Sequence, residues 1–198
     1  MRELVVATKN RKKFKEIKEI LKNPNLKMTS LANYPKAPFI AEDGKTFKEN
    51  DVKKAIKIAR FTKKLTLGED SGLCVDALKG KPGVYSSRFS GKDKDDLKNN
   101  LKLLRLLEGL PLKKRKAYYV CAGALADRNG LVGVKEGRCS GLIGFALKGH
   151  SGFGYDPLFI IPKYKKTFAQ LGLRIKHRMS HRFRALSKVR KTILDYYR

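Results

Sequence analysis

Residues 117–141, AYYVCAGALADRNGLVGVKEGRCSG, restrict the fold more than any other part of the chain. Tyr, Val, Leu and small residues run through both halves, and Asn129-Gly130 stands between them, the dipeptide that suits a type I′ turn. The stretch reads as two long strands joined in a hairpin, and a hairpin needs further strands or helices to bury its apolar face. The N-terminus supplies both. ELVVAT reads as a buried opening strand, and after Asn10 the residues Phe14, Ile17 and Leu21 recur at helical spacing. Strand, polar turn and helix beside a long hairpin predict an α/β chain built on a mixed β-sheet flanked by helices.

A second strand is expected near LKMTSL, then a loop through Pro35 and Pro38. A helix follows whose apolar face includes Phe47, Ala55, Ile56 and Ala59, opened by a capping box of Thr46 and Glu49. KLTLGEDSGLCV reads as a strand, a turn at Ser71-Gly72 and a second short strand. The Gly, Pro and Ser content of KGKPGVYSSRFSG predicts a loop. Asp93 is placed to cap a helix on which Leu97, Leu101 and Leu104 form one face, read as core packing. The C-terminal helix shows Phe183, Leu186, Ile193 and Tyr197, with Ser180 as its cap. No repeat, low-complexity linker or composition break divides the chain, so a single domain over residues 1–198 is expected.

Of the 198 residues 41% are hydrophobic, enough for a sizeable core. The longest apolar runs fall short of the roughly 18 residues that a membrane span needs, and MRELVVATKN lacks the apolar segment of a signal peptide, which predicts a cytoplasmic protein. Cys74, Cys121 and Cys139 have no C-x-x-C spacing and lie in strand-like stretches; they are expected to be reduced, partly buried thiols. The unusual quantity is charge: 46 Lys and Arg against 18 Asp and Glu, a formal +28. It is spread through NRKKFKEIKEILK, DVKKAIKIARFTKK and KKRK. It reads equally as solvated helix faces or as a surface for polyanions, whether nucleotide triphosphate, RNA, DNA or an anionic membrane.

Because acids are scarce, acids gathered in turns are informative. Glu42-Asp43 precede the second helix, and Glu69-Asp70 end the strand before Ser71. Carboxylates at a strand end face the crevice where α/β proteins bind ligands and, with phosphate, suit Mg2+; they serve equally as caps of helices and turns. TKNRKK places Thr8, Asn10 and Lys13 at a helix N-terminus, where N–H groups and the dipole favour a phosphate. The same residues also make an ordinary capped helix. Neither a P-loop nor the G-x-S-x-G of a nucleophile elbow occurs, so those two enzyme classes lose support. GFGYDP offers Phe153 and Tyr155 as stacking or packing surfaces, glycines that permit close backbone approach, and Asp156. KHRMSHR puts Lys176, His177, His181 and Arg182 near a helix start, without a zinc-ligand spacing between histidines.

Taken in order, TKNRKKFKEI, EDGKTFKEN with KA soon after, EDSGLCVDALKGKPGVYSSRFSG, GFGYDPLF and SHRFRAL resemble the inosine triphosphate pyrophosphatase family, the noncanonical purine NTP or dITP/XTP pyrophosphatases, nearly end to end. The resemblance implies an elongated mixed sheet folded into two lobes around a central cleft, and a homodimer. It implies that Thr8, Asn10 and Lys13 bind phosphate. Glu42 and Asp70 would hold Mg2+, with Glu69 beside them and Asp70 also the proton acceptor. Ser71 would contact the nucleotide, and Phe153, Gly154, Tyr155 and Asp156 would hold the base together with Lys176, His181 and Arg182. The activity so implied is hydrolysis of ITP, dITP and XTP to the monophosphate and pyrophosphate, which clears them from the nucleotide pool.

Such a cleavage needs a water aimed at the α-phosphorus, a metal on the oxygens and cations for the departing pyrophosphate. Asp70 suits the first task and Lys13 the last. Inosine and xanthine present a 6-keto acceptor that donors such as Arg182, His181 or backbone N–H groups can pair with, whereas adenine's amino group sets donor against donor. Guanine shares the keto group, so its exclusion needs a further element. Three places depart from the family pattern: Asp51 where alanine is common, Lys148 where arginine often stands, and Arg174-Ile175 in place of acids. Two other readings compete. One is a pyrophosphatase for other modified nucleotides, and the other is a basic nucleic-acid-binding module without hydrolase activity, which rests on charge alone.

Overall fold

A computed structural model describes residues 2–198. Its strands are β1 (Arg2–Val6), β2 (Leu26–Ser30), β3 (Thr66–Val75), β4 (Lys116–Asp127), β5 (Gly130–Ile143), β6 (Phe159–Ile161) and β7 (Lys166–Thr167), and its α-helices are α1 (Arg11–Ile20), α2 (Phe47–Thr62), α3 (Asp96–Leu106), α4 (Phe168–Met179) and α5 (His181–Tyr196). One sheet runs in the order β2-β1-β3-β4-β5-β6-β7. β1 pairs parallel with β2 and β3, while β6 pairs antiparallel with β5 and β7. The anticipated mixed α/β sheet is therefore present. Parallel neighbours need a long return connection, and α1 and α2 supply those returns.

Two compact units make up the chain, the first from Met1–Asp70, Cys121–Gly137 and His181–Arg198, the second from Ser71–Val120 and Arg138–Ser180. In the first unit, alternation along β1 sends Leu4 and Val6 to one face, where they pack with Ile17 of α1 and Leu186 and Val189 of α5. Val5 goes to the other face and meets Ile58 of α2. In the second unit Leu73, Leu103, Tyr119, Phe159 and Phe168 form the core.

Several expectations need correction. The polar run Glu69–Gly72 makes no turn; Thr66–Val75 is one continuous strand, buried at every residue except Ser71. β3 lies inside the sheet, so its backbone is satisfied there, and side-chain cations meet its carboxylates. The turn between β4 and β5 is Arg128-Asn129 rather than Asn129-Gly130, and it is not type I′, which needs two positive φ angles: neither residue has one, Gly130 opens β5 at φ +143°, and Asp127 Oδ1 accepts the N–H groups of Asn129 and Gly130 at 2.8 and 3.1 Å.

The cap of α3 is Asp95 rather than Asp93, its Oδ1 accepting from Lys98 N at 3.0 Å. Leu97 and Leu101 are 56% and 50% exposed, and the inward stripe is Asn99, Asn100, Leu103 and Leu107. Two inward asparagines hide that stripe from a hydrophobic pattern. They are tolerated because each amide is bonded, Asn99 to the Ser87 carbonyl and the Ser90 amide, Asn100 to the carbonyls of Asp96 and Gly154.

Thr46 caps α2 through Glu49 N as expected, but the Glu49 carboxylate accepts from Lys45 N; Ile56 packs half-buried with Ala55 and Ala59 as expected, and the fully buried isoleucine is Ile58. Helix α4 was not foreseen. It places Lys176 and His177 in its last turn instead of at a helix start, while His181 and Arg182 open α5. The three cysteines are buried free thiols. No helix among the described residues is long and apolar enough to cross a membrane.

Candidate functional site

The predicted site residues fall into two groups, one in each unit. In the first unit the organising contact is α2 against β3. A Cβ on Gly68 would collide with the Asp51 carbonyl oxygen and sit 3.1 Å from Ala55 N, so only glycine lets the two elements come this close. That approach brings the inward polar stripe of α2, Asn50, Asp51 and Lys54, onto the next two residues of β3, Glu69 and Asp70.

Lys54 is the hub. Its Nζ lies 3.1 Å from Glu42 Oε1, 3.5 Å from Asp51 Oδ1 and 4.0 Å from Asp70 Oδ1, and it donates to the Glu69 carbonyl at 3.0 Å. Burial opposes its charge, but Asp70, Asp51, Glu42 and Glu69 outweigh burial and hold the ammonium protonated. Asn50 donates to Asp70 Oδ2 at 3.4 Å and accepts from Gly44 N at 2.8 Å, tying the segment after Glu42 to the strand.

Glu69 has a separate set of partners. Lys13 Nζ is 3.0 Å from Oε2, and Arg182 reaches Oε1 with Nε at 3.2 Å and Nη2 at 3.0 Å while pairing with Glu16 through Nη1. Burial alone would keep Glu69 neutral, yet Arg182, Lys13 and Lys54 hold its carboxyl well below the usual range. Asp70 goes the other way. Burial raises its pKa, the neighbouring Glu42 and Glu69 add to that, and Lys13 and Lys54 only partly offset it. The two adjacent carboxylates thus have opposite tendencies, Glu69 toward a fixed charge and Asp70 toward a higher proton affinity.

Lys13 reaches the acids from the first turn of α1. Asn10 caps that turn, its Oδ1 accepting from Lys13 N at 3.1 Å, and Thr8 Oγ1 accepts from Asn10 N at 3.1 Å. Thr8, Asn10 and Lys13 thus form one rigid start to α1, beside Glu69 and Asp70.

Among the described residues no group of three or more His, Cys, Asp or Glu side chains is placed to hold a metal. Mg2+ is commonly held by one or two carboxylates, the phosphates of a substrate and water. Glu42 and Asp70 fit that donor set, since both carboxylates converge within 4.0 Å of the single Lys54 ammonium. Glu69 fits it less well, its two oxygens being engaged by Arg182 and Lys13.

The second unit carries the other group. Asp156, buried, accepts from Lys176 Nζ at 2.7 Å and from Phe153 N at 2.9 Å through the same Oδ2. The Lys176 ammonium lies 4.7 Å from the centroid of the Phe153 ring. Tyr155 is buried and donates from its hydroxyl to the Ser86 carbonyl at 2.8 Å. Phe153 to Asp156 and Lys176 therefore form one constellation. Ser71, the first residue of this unit, sits half-buried within β3. His181 and Arg182 belong to the first unit, where Arg182 stands with the acids.

Glu16, Asn50 and Lys54 lie within the matched sequence segments but carry no role in the sequence reading, and Asn100 lies outside those segments. The available signal was spacing: Asn50, Asp51 and Lys54 fall on the same face of α2 as Ala55 and Ile58. Glu16 sits one turn after Lys13.

The Ham1 family profile matches residues 4–192. A dITP/XTP pyrophosphatase of Desulforamulus reducens is 50% identical over 194 residues, which cover 98% of this chain and 96% of its own. Among solved structures, a HAM1 protein from Coxiella burnetii matches with a TM-score of 0.89 at 35% identity, covering 98% of this chain and all of its own. The Staphylococcus aureus Ham1 protein matches with a TM-score of 0.87 at 34% identity over the full length of both.

Proposed function

The chain belongs to the Ham1 family, and from that premise we propose that it hydrolyses noncanonical purine nucleoside triphosphates, dITP, XTP and ITP, to the monophosphate and pyrophosphate. The observation that carries the mechanism is Asp70 set between two ammonium groups, Lys13 and Lys54, each 4.0 Å from Oδ1. Burial makes Asp70 a stronger base than a solvated aspartate, and the two cations keep it ionised enough to accept a proton. It orients a water toward the α-phosphorus and takes its proton.

Glu69, held ionised, fixes the Lys13 ammonium at the start of α1, where Thr8 and Asn10 shape a turn suited to phosphate oxygens. Lys13 offsets the charge that builds on the leaving pyrophosphate. Glu42 and Asp70 would hold Mg2+, which when bound shields the phosphate oxygens from the approaching water. Base recognition belongs to Phe153, Gly154, Tyr155 and Asp156 with Lys176, the aromatic ring stacking and the Asp156–Lys176 pair supplying polar contacts. Ser71 contacts the nucleotide. The enzyme acts in the cytoplasm on free nucleotides, as a homodimer of single catalytic domains spanning residues 1–198.

Incubation with dITP, XTP, ITP, ATP and GTP, with and without Mg2+, tests the reading when pyrophosphate and orthophosphate are measured separately. Pyrophosphate from dITP, XTP and ITP alone, abolished by chelation, is the expected result. Orthophosphate release, or equal turnover of ATP, contradicts it.

A further inference from the structure

We propose that the first turn of α3 is a clamp that sets the conformation of the base-holding loop, with Asp96 and Asn100 as positioning residues for substrate discrimination. The proposal rests on the reading of residues 153–156 as the segment that holds the base. Gly154 N donates to Asp96 Oδ2 at 2.8 Å, and the Gly154 carbonyl accepts from Asn100 Nδ2 at 2.8 Å. Those two bonds belong to the two peptide planes on either side of the Gly154 Cα. Together they hold both of its backbone dihedrals from a helix 54 and 58 residues away in sequence.

Packing does not do this job. Gly154 has φ +63°, and a Cβ built there would meet nothing within 4 Å. Glycine has the widest conformational choice of any residue, so an unsupported glycine in open space would sample other conformations. Asp156 N closes a turn across Gly154 on the Phe153 carbonyl at 3.3 Å, and the hydrogen bonds from α3 hold Gly154 N and the Gly154 carbonyl directly. Asn100 is 2% exposed, and its Nδ2 also donates to the Asp96 carbonyl at 2.7 Å, which fixes the direction of the amide. The Asp96 carboxylate makes a charge-assisted bond, stronger than one between neutral groups.

A consequence for specificity follows from geometry. The loop displays backbone N–H and C=O groups along with Phe153 and Asp156, and rotation about Gly154 would exchange donors for acceptors in that display. A loop locked in one conformation discriminates among purine edges; a loop free to rotate adapts to several of them. Tyr155, bonded to the Ser86 carbonyl, and Asp156, bonded to Lys176 and to Phe153 N, anchor the loop on either side of Gly154, but none of these bonds reaches Gly154 N or the Gly154 carbonyl.

The test uses the full chain and compares Asp96→Ala, Asp96→Asn, Asn100→Asp and, as a probe of the loop itself, Phe153→Ala. Kinetics are measured on dITP and ATP alongside thermal unfolding. Asp96 is exposed, so its substitution leaves the core intact. Asp96→Ala should raise KM for dITP about tenfold, with a smaller change in kcat, and narrow the dITP-to-ATP ratio of kcat/KM by a similar factor. Asp96→Asn keeps an acceptor oxygen and should recover most of both losses. Asn100→Asp sets an acceptor against the Gly154 carbonyl and should exceed Asp96→Ala; if it fails to fold, the two Asp96 variants decide.

A purely structural role would lower the melting temperature without moving the substrate ratio. Unchanged KM and substrate ratio in Asp96→Ala, with KM raised in Phe153→Ala, would reject the clamp and leave the base-loop reading standing. Unchanged dITP kinetics in Phe153→Ala would remove that reading and the clamp with it.

Discussion

Arg182 and Glu69 form a buried two-point ion pair, with Nε and Nη2 of the guanidinium at 3.2 and 3.0 Å from the same carboxylate oxygen. Neither side chain is exposed, and Glu16 takes the remaining face of the guanidinium. Removing one member of a buried pair leaves the other charge uncompensated. Arg182→Leu should therefore cost about 3–5 kcal/mol in urea unfolding. Arg182→Lys keeps the charge but cannot span two carboxylates, so its loss should be intermediate. A cost below about 1 kcal/mol for Arg182→Leu would mean that Lys13 alone satisfies Glu69.

The acids of the first unit make opposing contributions as pH changes. Glu69 is ionised more easily in the folded state than at its ordinary value of 4.5, so it contributes stability that is present above about pH 4.5 and is lost as pH falls toward its folded pKa. Asp51 is buried, and burial raises its pKa well above 3.8. Its contribution is present below about pH 3.8 and is lost as pH rises through the folded value. In metal-free buffer, Glu69→Gln should flatten the acid limb of the stability profile. Asp51→Asn should leave the chain more stable than the parent at pH 8 and no more stable at pH 3. Denaturant unfolding across that range reads both.

Close approach of α2 to β3 is the precondition for the polar cluster. Gly68→Ala forces its methyl into the Asp51 carbonyl, and overpacking of this kind costs about 1–3 kcal/mol. Because Asp51 lies one turn before Lys54, the displaced helix also carries the Lys54 ammonium away from Glu42 and Asp70. Hydrolysis should fall more than tenfold even at temperatures where the variant is fully folded. A folded variant with full activity would show that the spacing is not critical.

Leucines of α3 provide a test of which face is buried. Leu103→Ala should destabilise by about 2–5 kcal/mol, since Leu103 is fully buried in the second core. Leu101→Gln, on the exposed side, should stay within about 0.5 kcal/mol of the parent. Thermal or urea unfolding of the two separates the faces directly.

That helix also shows where sequence reading stops. β1 and α1 were legible because Leu4, Val6 and Ile17 follow the periods of strand and helix without interruption. On α3 the inward positions at the first turns are asparagines whose amides find backbone partners, so of the face expected from apolar periodicity Leu104 packs against the core while Leu97 and Leu101 face solvent. Glu69 and Asp70 stand out in the sequence because acids are few, but Glu-Asp-Ser-Gly looks like a turn, and only the neighbouring strands show that β3 continues through it. Lys54 was hidden by abundance. In a chain with 46 basic residues one more lysine carries no signal until it is seen against four carboxylates. Helix α4 was missed at Gly172, whose φ of +77° interrupts the helix and its pattern.

The most direct test of the account is hydrolysis of dITP in 18O-labelled water with Mg2+, followed by mass spectrometry of both products. Attack at the α-phosphorus by a water oriented by Asp70 predicts label in dIMP and none in pyrophosphate. Asp70→Asn should slow label incorporation by about 10²–10⁴-fold. Label in pyrophosphate, release of orthophosphate, or undiminished incorporation by Asp70→Asn would contradict it.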